Sequence, residues 1–324
     1  MEMIILIVAI IVIAFLILIL ILILNRNFRK SNYISNKHIE LSFYKKDISN
    51  NLDVAIFGST YSLYAFQAIR ELYGNKANNF SLNAESLELD KQLLKKYIGH
   101  IKEGGFAIFT LAPCVCYYSY DQSPKYNSYQ LLSYDEIPNF SRKQKLKYKF
   151  PLVFDGNLKQ NIKHTLVDDI YVKTIDEFYP STITVVQAER NMKGMAEGWK
   201  KLFHIENLKE KSTNEENEKN LEHNAHVVTD MIRICSEHGV TPVFVMTPIS
   251  KYLNQYFGDD FLNNGIMKMV DMTDPEHKVL FLDYRKDSFF QNNISLFADG
   301  GFRINYEGSR IFCKMVMKRI YSSN

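Results

Sequence analysis

Cysteine is scarce in this chain, with four residues among 324. Cys114 and Cys116 stand one residue apart in an apolar run, a spacing too short for an easy mutual disulfide. No second pair of cysteines has the spacing of a zinc site. We therefore interpret Cys114, Cys116, Cys235 and Cys313 as buried free thiols, and we expect neither a metal nor another cofactor.

An excess of charge of either sign is also lacking. The 39 basic and 36 acidic residues give a net charge of +3, so nucleic acid is not an expected partner. One local basic run, residues 141–147, is typical of a solvated helix face, with contact to an anionic polymer as the alternative. Internal repeats are absent as well.

The chain does contain one long apolar run, from Met3 to Leu24. A bilayer is crossed by about 20 such residues, and the run is too long for the apolar region of a signal peptide. No small-residue cleavage site follows it. The sequence therefore predicts an uncleaved single-pass transmembrane anchor at residues 3–24, followed by a polar juxtamembrane connector at 25–51.

The charges that flank this run bear on its orientation. Arg26, Arg29 and Lys30 follow the apolar run, whereas only Glu2 and the amino terminus precede it. By the positive-inside rule, these charges favour a body that faces the cytoplasm. The family resemblance described below implies the opposite side, and both alternatives stay open here.

The first apolar segment of the body ends in a turn with two hydroxyl residues. Residues 52–57 read as a strand, Gly58-Ser59-Thr60 as a tight turn, and the following residues as a helix. Ligands of open α/β sheets bind outside the carboxyl ends of the strands, near helix N-termini that favour anions. Ser59 and Thr60 are therefore candidate site residues, and the alternative is that they only cap the helix.

Helical and strand patterns then alternate along the chain. A predicted helix, 88–101, is ended by Gly104-Gly105, and apolar strands follow at 106–111, 241–246 and 279–284, with a final helix at 306–320. This alternation predicts an α/β fold with a parallel sheet and helices on its faces. Residues 117–220 lose the rhythm and are expected to form a helical insertion or lid, with an exposed loop at 209–219.

The two ends of the body carry a family resemblance. Gly58-Ser59-Thr60 follows the first strand, and Asp299 precedes Ile304-Asn305 and a later glycine after the last strand. This order resembles the SGNH (GDSL-like) hydrolase superfamily, and more closely its membrane-anchored branch found with bacterial cell-surface polymer genes. The resemblance covers the chain from about residue 52 onward. It is specific at the two ends and weak in the middle.

What the resemblance implies is a three-layer, flavodoxin-like α/β domain at 52–324 with a catalytic site at the lip of its sheet. A hydroxyl nucleophile would be Thr60 or Ser59, and Asp299 would orient a base. Gly58, Asn83, Thr247 and Asn305 would hold the oxyanion or the substrate. Thr60 and Asp299 are expected to meet at the same edge of the sheet.

Three departures from the family pattern concern the chemistry. Thr60 aligns with the family's serine, and no Gly-x-Asn-Asp block supplies an oxyanion hole, for which Asn83 is the nearest candidate. Arg303 stands near the place of the catalytic histidine. Its guanidinium stays protonated and cannot accept the proton of a hydroxyl at neutral pH, whereas a hydroxyl nucleophile needs an adjacent base.

Three functional hypotheses follow. The first is an acyl-esterase or O-acyltransferase acting on a surface polysaccharide, with that polysaccharide or an acyl donor as its partner. Its body would lie outside the cytoplasm, as the resemblance implies. The second is a catalytically inactive relative, in which Arg303 and Asn83 help bind an anionic glycan or an assembly partner. The third is a structural membrane protein without a small-molecule site.

Overall fold

The computed structural model describes residues 1–37, 48–119, 132–133, 135–137, 141–167, 171, 183–212 and 214–322. The chain divides into two compact units. One comprises Met1–Ile39 and Pro138–Ile175, and the other comprises Glu40–Ile137 and Asp176–Asn324. Each unit is therefore built from two stretches that lie far apart in the sequence.

The described residues form helices and strands with the following bounds. The helices are α1 (Glu2–Arg29), α2 (Asn32–Lys37), α3 (Thr60–Ala65), α4 (Ile69–Tyr73), α5 (Leu87–Tyr97), α6 (Arg142–Lys149), α7 (Pro151–Phe154), α8 (Leu158–Leu166), α9 (Val185–Leu202), α10 (Glu215–Glu237), α11 (Lys251–Asn254), α12 (Asp259–Leu262), α13 (Lys268–Thr273), α14 (Ser288–Asn292) and α15 (Tyr306–Ser322). The strands are β1 (Leu52–Phe57), β2 (Ala77–Asn79), β3 (Ile101–Leu111), β4 (Thr241–Met246) and β5 (Leu280–Asp283).

Helix α1 dominates the first unit. Within the described part of the chain, it is the one helix long and apolar enough to span a membrane, and the mean hydropathy of its most apolar window is 3.9. The helix continues past Leu24 to Arg29, so the predicted connector at 25–51 begins as a helical extension of the apolar run. Helices α7 and α8 pack against it.

The second unit contains a five-stranded parallel sheet with the order β2-β1-β3-β4-β5. This confirms the predicted α/β class and the parallel sheet. Parallel neighbours require crossover connections, and α3 and α4 lie in the connection between the neighbouring strands β1 and β2.

Both faces of the sheet are buried, which explains why the strands read as continuous apolar runs. On one face α15 packs against alternate strand residues, which are Val54, Ile56, Phe106, Ile108, Val243 and Val245. On the other face, the ring of Phe57 lies 5.4 Å from that of Phe80 and 6.0 Å from that of Phe109. Phe80 in turn stacks on Tyr97 of α5, with ring centroids 4.5 Å apart.

Two local predictions are wrong. The glycine pair expected to end a helix lies inside β3, where the register jumps from Leu52 opposite Ile101 to Val54 opposite Phe106. A Cβ on Gly105 would stand 3.1 Å from the Asp53 carbonyl oxygen, so the pair forms a bulge that brings two backbones close together. The predicted loop at 209–219 is also wrong in its second half, because α10 begins at Glu215.

The prediction for the cysteines is confirmed. Cys114, Cys116, Cys235 and Cys313 are all free and buried. Burial raises the pKa of the Cys235 and Cys313 thiols to about 12, so both are protonated at neutral pH.

Candidate functional site

A cavity of about 250 Å³ opens at the carboxyl ends of β1 and β3. The chain places β2 on one side of β1 and then β3 on the other side, so the β1–β3 boundary is the topological switch point of the sheet. Ligands of doubly wound sheets bind at such a switch point. Five separate stretches of the second unit line the cavity. They are the turn after β1 with Ser59 and Thr60, the loop with Glu85, the segment after β3 with Tyr118, helix α9 with Trp199, and the loop before α15 with Arg303. All the residues that line it belong to this one unit.

The turn after β1 requires a glycine. Gly58 has a φ of +151°, and a Cβ at this position would stand 2.0 Å from Oγ1 of Thr110 and 2.8 Å from Cβ of Ser62. Its carbonyl accepts the backbone N–H of Leu82 at 3.2 Å, which continues the pairing beyond β2. The backbone therefore turns tightly enough to bring Ser59 and Thr60 to the cavity.

The two hydroxyls hold a neighbouring loop, residues 83–85. The Thr60 hydroxyl donates to Oδ1 of Asn83 at 2.6 Å and accepts the backbone N–H of Ala84 at 2.9 Å. The Ser59 hydroxyl accepts the backbone N–H of Glu85 at 2.8 Å. Ser59 precedes α3, yet its side chain makes no capping bond, so capping is not what these hydroxyls do. Ala84 has a φ of +54°, a conformation that these bonds support.

Two buried carboxyl groups lie behind the turn. Asp90 of α5 is 2% exposed, and burial raises its pKa well above the usual range, although the backbone N–H of Gly58 opposes the shift. The carboxylic acid is therefore expected to stay protonated at a higher pH than an exposed one. Glu85 is 3% exposed and lines the cavity itself.

The loop before α15, residues 299–303, is organised by Asp299. Its Oδ1 atom accepts the backbone N–H groups of Gly301, Phe302 and Arg303 at 3.0, 2.8 and 2.9 Å. The Arg303 guanidinium lies 5.3 Å from the centre of the Tyr64 ring, and its buried Nε has no hydrogen-bond partner among the described residues. Asp299 thus positions the backbone that presents Arg303 to the cavity.

Aromatic rings form one wall of the cavity. The Phe302 ring meets that of Trp199 edge to face at 5.5 Å and that of Tyr61 at 5.7 Å. Tyr61 is anchored below by its hydroxyl, which donates to the Thr110 carbonyl oxygen at 3.1 Å. The wall gives the cavity a largely apolar surface opposite its few polar groups.

The structure brings some of the predicted site residues together and leaves others apart. Ser59, Thr60 and Arg303 line the cavity, and Gly58 and Asn83 adjoin it through the turn and the Thr60 bond. The other three predicted site residues do not line the cavity: Asp299, Thr247 and Asn305.

Asn305 and Thr247 serve the fold at these positions. The side-chain oxygen of Asn305 accepts the backbone N–H of Gly308 at 2.9 Å, at the start of α15, and its amide donates to the Ser295 carbonyl oxygen at 2.6 Å. Thr247 is 3% exposed and follows β4. Because β4 lies one strand away from the β1–β3 switch point, Thr247 does not reach the cavity.

Sequence reasoning missed several residues of the cavity, chiefly Glu85, Tyr118 and Trp199. Trp199 lies on α9, in the segment without a regular strand–helix rhythm, and the amphipathic pattern of 185–202 is the one signal that could have found it. Glu85 is brought in by the left-handed turn at Ala84, which no local pattern predicts.

The arrangement favours binding over proton transfer. Among the described residues, no histidine lines the cavity, and no carboxylate accepts a hydrogen bond from Ser59 or Thr60. The Thr60 proton is directed to an amide oxygen, which is not a base. A guanidinium beside an aromatic wall instead suits a ligand with one negative charge and an apolar portion.

No protein-family model matches this chain, and no curated protein matches its sequence.

Proposed function

We propose that this chain is a membrane-anchored, SGNH-like protein whose cavity binds a compact anionic group, such as a carboxylate, phosphate or sulfate on a surface glycan, without hydrolysing it. The observation that carries the proposal is the position of Arg303. It lines the same cavity as Ser59 and Thr60, where a hydrolase of this type would need a histidine.

Several features support an SGNH-like relative over an unrelated α/β protein. The strand order is that of flavodoxin-like sheets, and helices lie on both faces, as the proposed three-layer fold requires. The hydroxyl turn follows β1, and the Asp299–Arg303 loop follows β5 and reaches the same cavity. The turn near the start of the second unit and the loop near its end thus contribute to one cavity.

The dimensions of the cavity support a small ligand or a terminal group. Its volume of about 250 Å³ lies just below the ~300–1,000 Å³ of typical ligand pockets. A single charged sugar or an acyl substituent fits this volume better than several residues of a polymer. Arg303 would meet the anionic group, while Trp199 and Phe302 would cover an apolar face of the ligand.

The single tryptophan of the chain offers a direct test, since Trp199 lines the cavity. The full chain in detergent is titrated with glucuronate, glucose 6-phosphate and glucose while its tryptophan fluorescence is followed. We expect a saturable change with an anionic sugar and none with glucose. Arg303→Gln should weaken binding about tenfold or more, because a charge-assisted hydrogen bond contributes roughly 1.5–3 kcal/mol.

The matched control is Arg319→Gln, which removes an exposed arginine of α15 that does not line the cavity. This variant should bind like the unmodified chain. The proposal is contradicted if none of the anionic sugars changes the fluorescence, or if both arginine variants weaken binding equally.

An acyl-esterase or O-acyltransferase remains the second candidate, on one specific observation. The Ser59 hydroxyl and the Glu85 residue line the same cavity, so a nucleophile and a carboxyl group share one space. Turnover of p-nitrophenyl acetate by the full chain, lost in Ser59→Ala and kept in Thr60→Ala, would favour catalysis through Ser59. Equal rates in all three proteins would exclude this second candidate.

The side of the membrane is part of the same proposal. A surface glycan requires the second unit to face away from the cytoplasm, whereas Arg26, Arg29 and Lys30 favour the opposite orientation. Fusions of alkaline phosphatase and of green fluorescent protein to the C-terminus distinguish the two, since each reporter is active on one side. Phosphatase activity without green fluorescence would place the second unit outside the cytoplasm, as binding of a surface glycan requires.

A further inference from the structure

We infer that α6 is a membrane-surface helix, which holds the first unit against anionic phospholipid headgroups of the bilayer that α1 would span. The inference concerns the first unit alone and does not depend on the cavity of the second. It rests on where the structure ties α6 to α1, and on which side chains α6 exposes.

Asn25 fixes the position of α6 along the anchor. It follows Leu24, the last residue of the apolar run, and is only 6% exposed. Its amide donates to the Lys149 carbonyl oxygen at 2.8 Å, and its Oδ1 accepts the backbone N–H of Leu152 at 3.2 Å. The junction of α6 and α7 is therefore bound to the residue directly after the apolar run.

Arg29 makes a second attachment one helical turn further along α1. Its guanidinium donates to the carbonyl oxygens of Tyr148 and Lys149, the latter at 3.0 Å, and lies 5.4 Å from the centre of the Tyr148 ring. Since a helix rises about 1.5 Å per residue, these attachments lie within ~8 Å of the end of the apolar run. That depth is the headgroup region of a bilayer.

The exposed face of α6 is basic. Arg142, Lys143, Lys145 and Lys149 are all exposed, and α6 contains no acidic residue. A group of basic residues close to a membrane-spanning helix binds anionic lipids, and each contributes about fivefold to the partition onto the surface. The sequence alone suggested a solvated face, because nothing in it placed residues 142–149 beside the end of the anchor.

Exposed apolar side chains favour lipid over a soluble anionic polymer. Leu146, among these basic residues, is 44% exposed, and Phe154 of α7 is 47% exposed. Interfacial helices combine such apolar side chains with lysine and arginine, whose aliphatic stems lie along the boundary while their charges reach the headgroups.

Hydrogen exchange of the full chain in nanodiscs tests this inference. We expect the amides of α6 to exchange at least fivefold more slowly in phosphatidylcholine mixed with phosphatidylglycerol than in phosphatidylcholine alone. High salt should remove the difference. Arg142→Gln/Lys143→Gln should also remove most of it, although loss of positive charge from the first turn would by itself favour the helix.

Two control variants separate charge from folding. Arg142→Lys/Lys143→Arg keeps both charges and should keep the protection. Lys314→Gln/Lys318→Gln, which changes two exposed lysines of α15, should exchange like the unmodified chain. Equal exchange of α6 in the two lipid compositions would overturn the inference. Equal protection by soluble polyphosphate in phosphatidylcholine nanodiscs would also overturn it and assign the face to a polymer.

Discussion

The hydroxyl of Thr60 lies between the side-chain oxygen of Asn83, to which it donates at 2.6 Å, and the backbone N–H of Ala84, which it accepts at 2.9 Å. Its proton and one lone pair are thus both used by the 83–85 loop. A hydroxyl in this state stabilises a loop, whereas a nucleophile would direct its proton to a base. This relationship sets the first prediction.

Thr60→Val should destabilise the chain by about 1–3 kcal/mol, because it keeps the shape of the side chain and removes the hydroxyl bonds to Asn83 and Ala84. Thr60→Ser retains the hydroxyl and should cost less than 1 kcal/mol on the same scale. Thermal unfolding in detergent measures both, and amide exchange at residues 83–85 should quicken only in the valine variant. Equal stability of the two variants would contradict this role of Thr60.

Gly58→Ala should destabilise the chain by about 3 kcal/mol, from the strain of a positive φ and from the clash with Thr110. It should also abolish the tryptophan fluorescence response, since the turn carries Ser59 and Thr60. Gly99→Ala is the matched control, because its Cβ would meet nothing within 4 Å. A Gly58→Ala variant as stable as Gly99→Ala would show that the turn tolerates a side chain.

Asp90 should make the stability of the chain depend on pH. Burial raises the pKa of Asp90 in the folded chain above its value in the unfolded chain, about 3.9. The stability that the protonated group contributes is therefore fully present below the unfolded pKa. It is lost as the pH rises through the folded pKa. Asp90→Asn cannot ionise, and its unfolding temperature should therefore fall less between pH 4 and 9 (roughly the range in which buried carboxyl groups titrate). Thermal unfolding across that range measures the difference.

The control for Asp90 is Asp271→Asn, which removes an exposed carboxylate of α13. Its profile of unfolding temperature against pH should run parallel to that of the unmodified chain. Parallel profiles for Asp90→Asn as well would show that Asp90 does not ionise within the range tested.

Asp299→Ala should weaken both the fold and the cavity. It removes the acceptor of three backbone N–H groups in the loop that presents Arg303, so we expect a loss of about 2–3 kcal/mol and weaker binding of anionic sugars. Asp299→Asn keeps an oxygen acceptor and should lose less of both. If Asp299 instead oriented a catalytic base, Asp299→Asn would abolish ester turnover and leave the sugar affinity unchanged.

The four cysteines should be unreactive in the folded chain. All are buried, and burial raises the pKa of each thiol, so little thiolate forms at pH 8 (about half a unit below the usual thiol pKa). Titration with a thiol reagent should label none in the native state and all four after denaturation. Rapid labelling of any native cysteine would show that the surrounding part of the second unit opens.

The sequence was sufficient for features in which local pattern and tertiary structure agree. The apolar strand before Gly58 and the final helix, α15, each show in a short window, and both lie where expected. Thr60 and Asp299 were expected to meet at one edge of the sheet, because the carboxyl ends of parallel strands share that edge. Thr60 lines the cavity at that edge, whereas Asp299 does not line it and instead holds the loop that presents Arg303.

Features that depend on distant contacts could not be predicted. Gly104 and Gly105 have the composition of a helix end, yet they form a bulge because the Asp53 backbone lies opposite them. Asp299 resembles a catalytic acid in its place after the last strand, with one extra residue before Arg303. The tight loop that follows instead uses its carboxylate for backbone N–H groups. Trp199 reaches the cavity only through the packing of α9.

The two-part composition of the first unit has a practical consequence for making a soluble form of this protein. Deleting the amino-terminal segment would remove Asn25 and Phe28. The surfaces of α7 and α8 that α1 now covers would then be exposed to solvent. We expect such a truncated protein to aggregate, because residues 138–175 remain without the helix against which they pack. A clean excision removes both stretches, up to residue 39 and from 138 to 175, and rejoins the chain across the second gap.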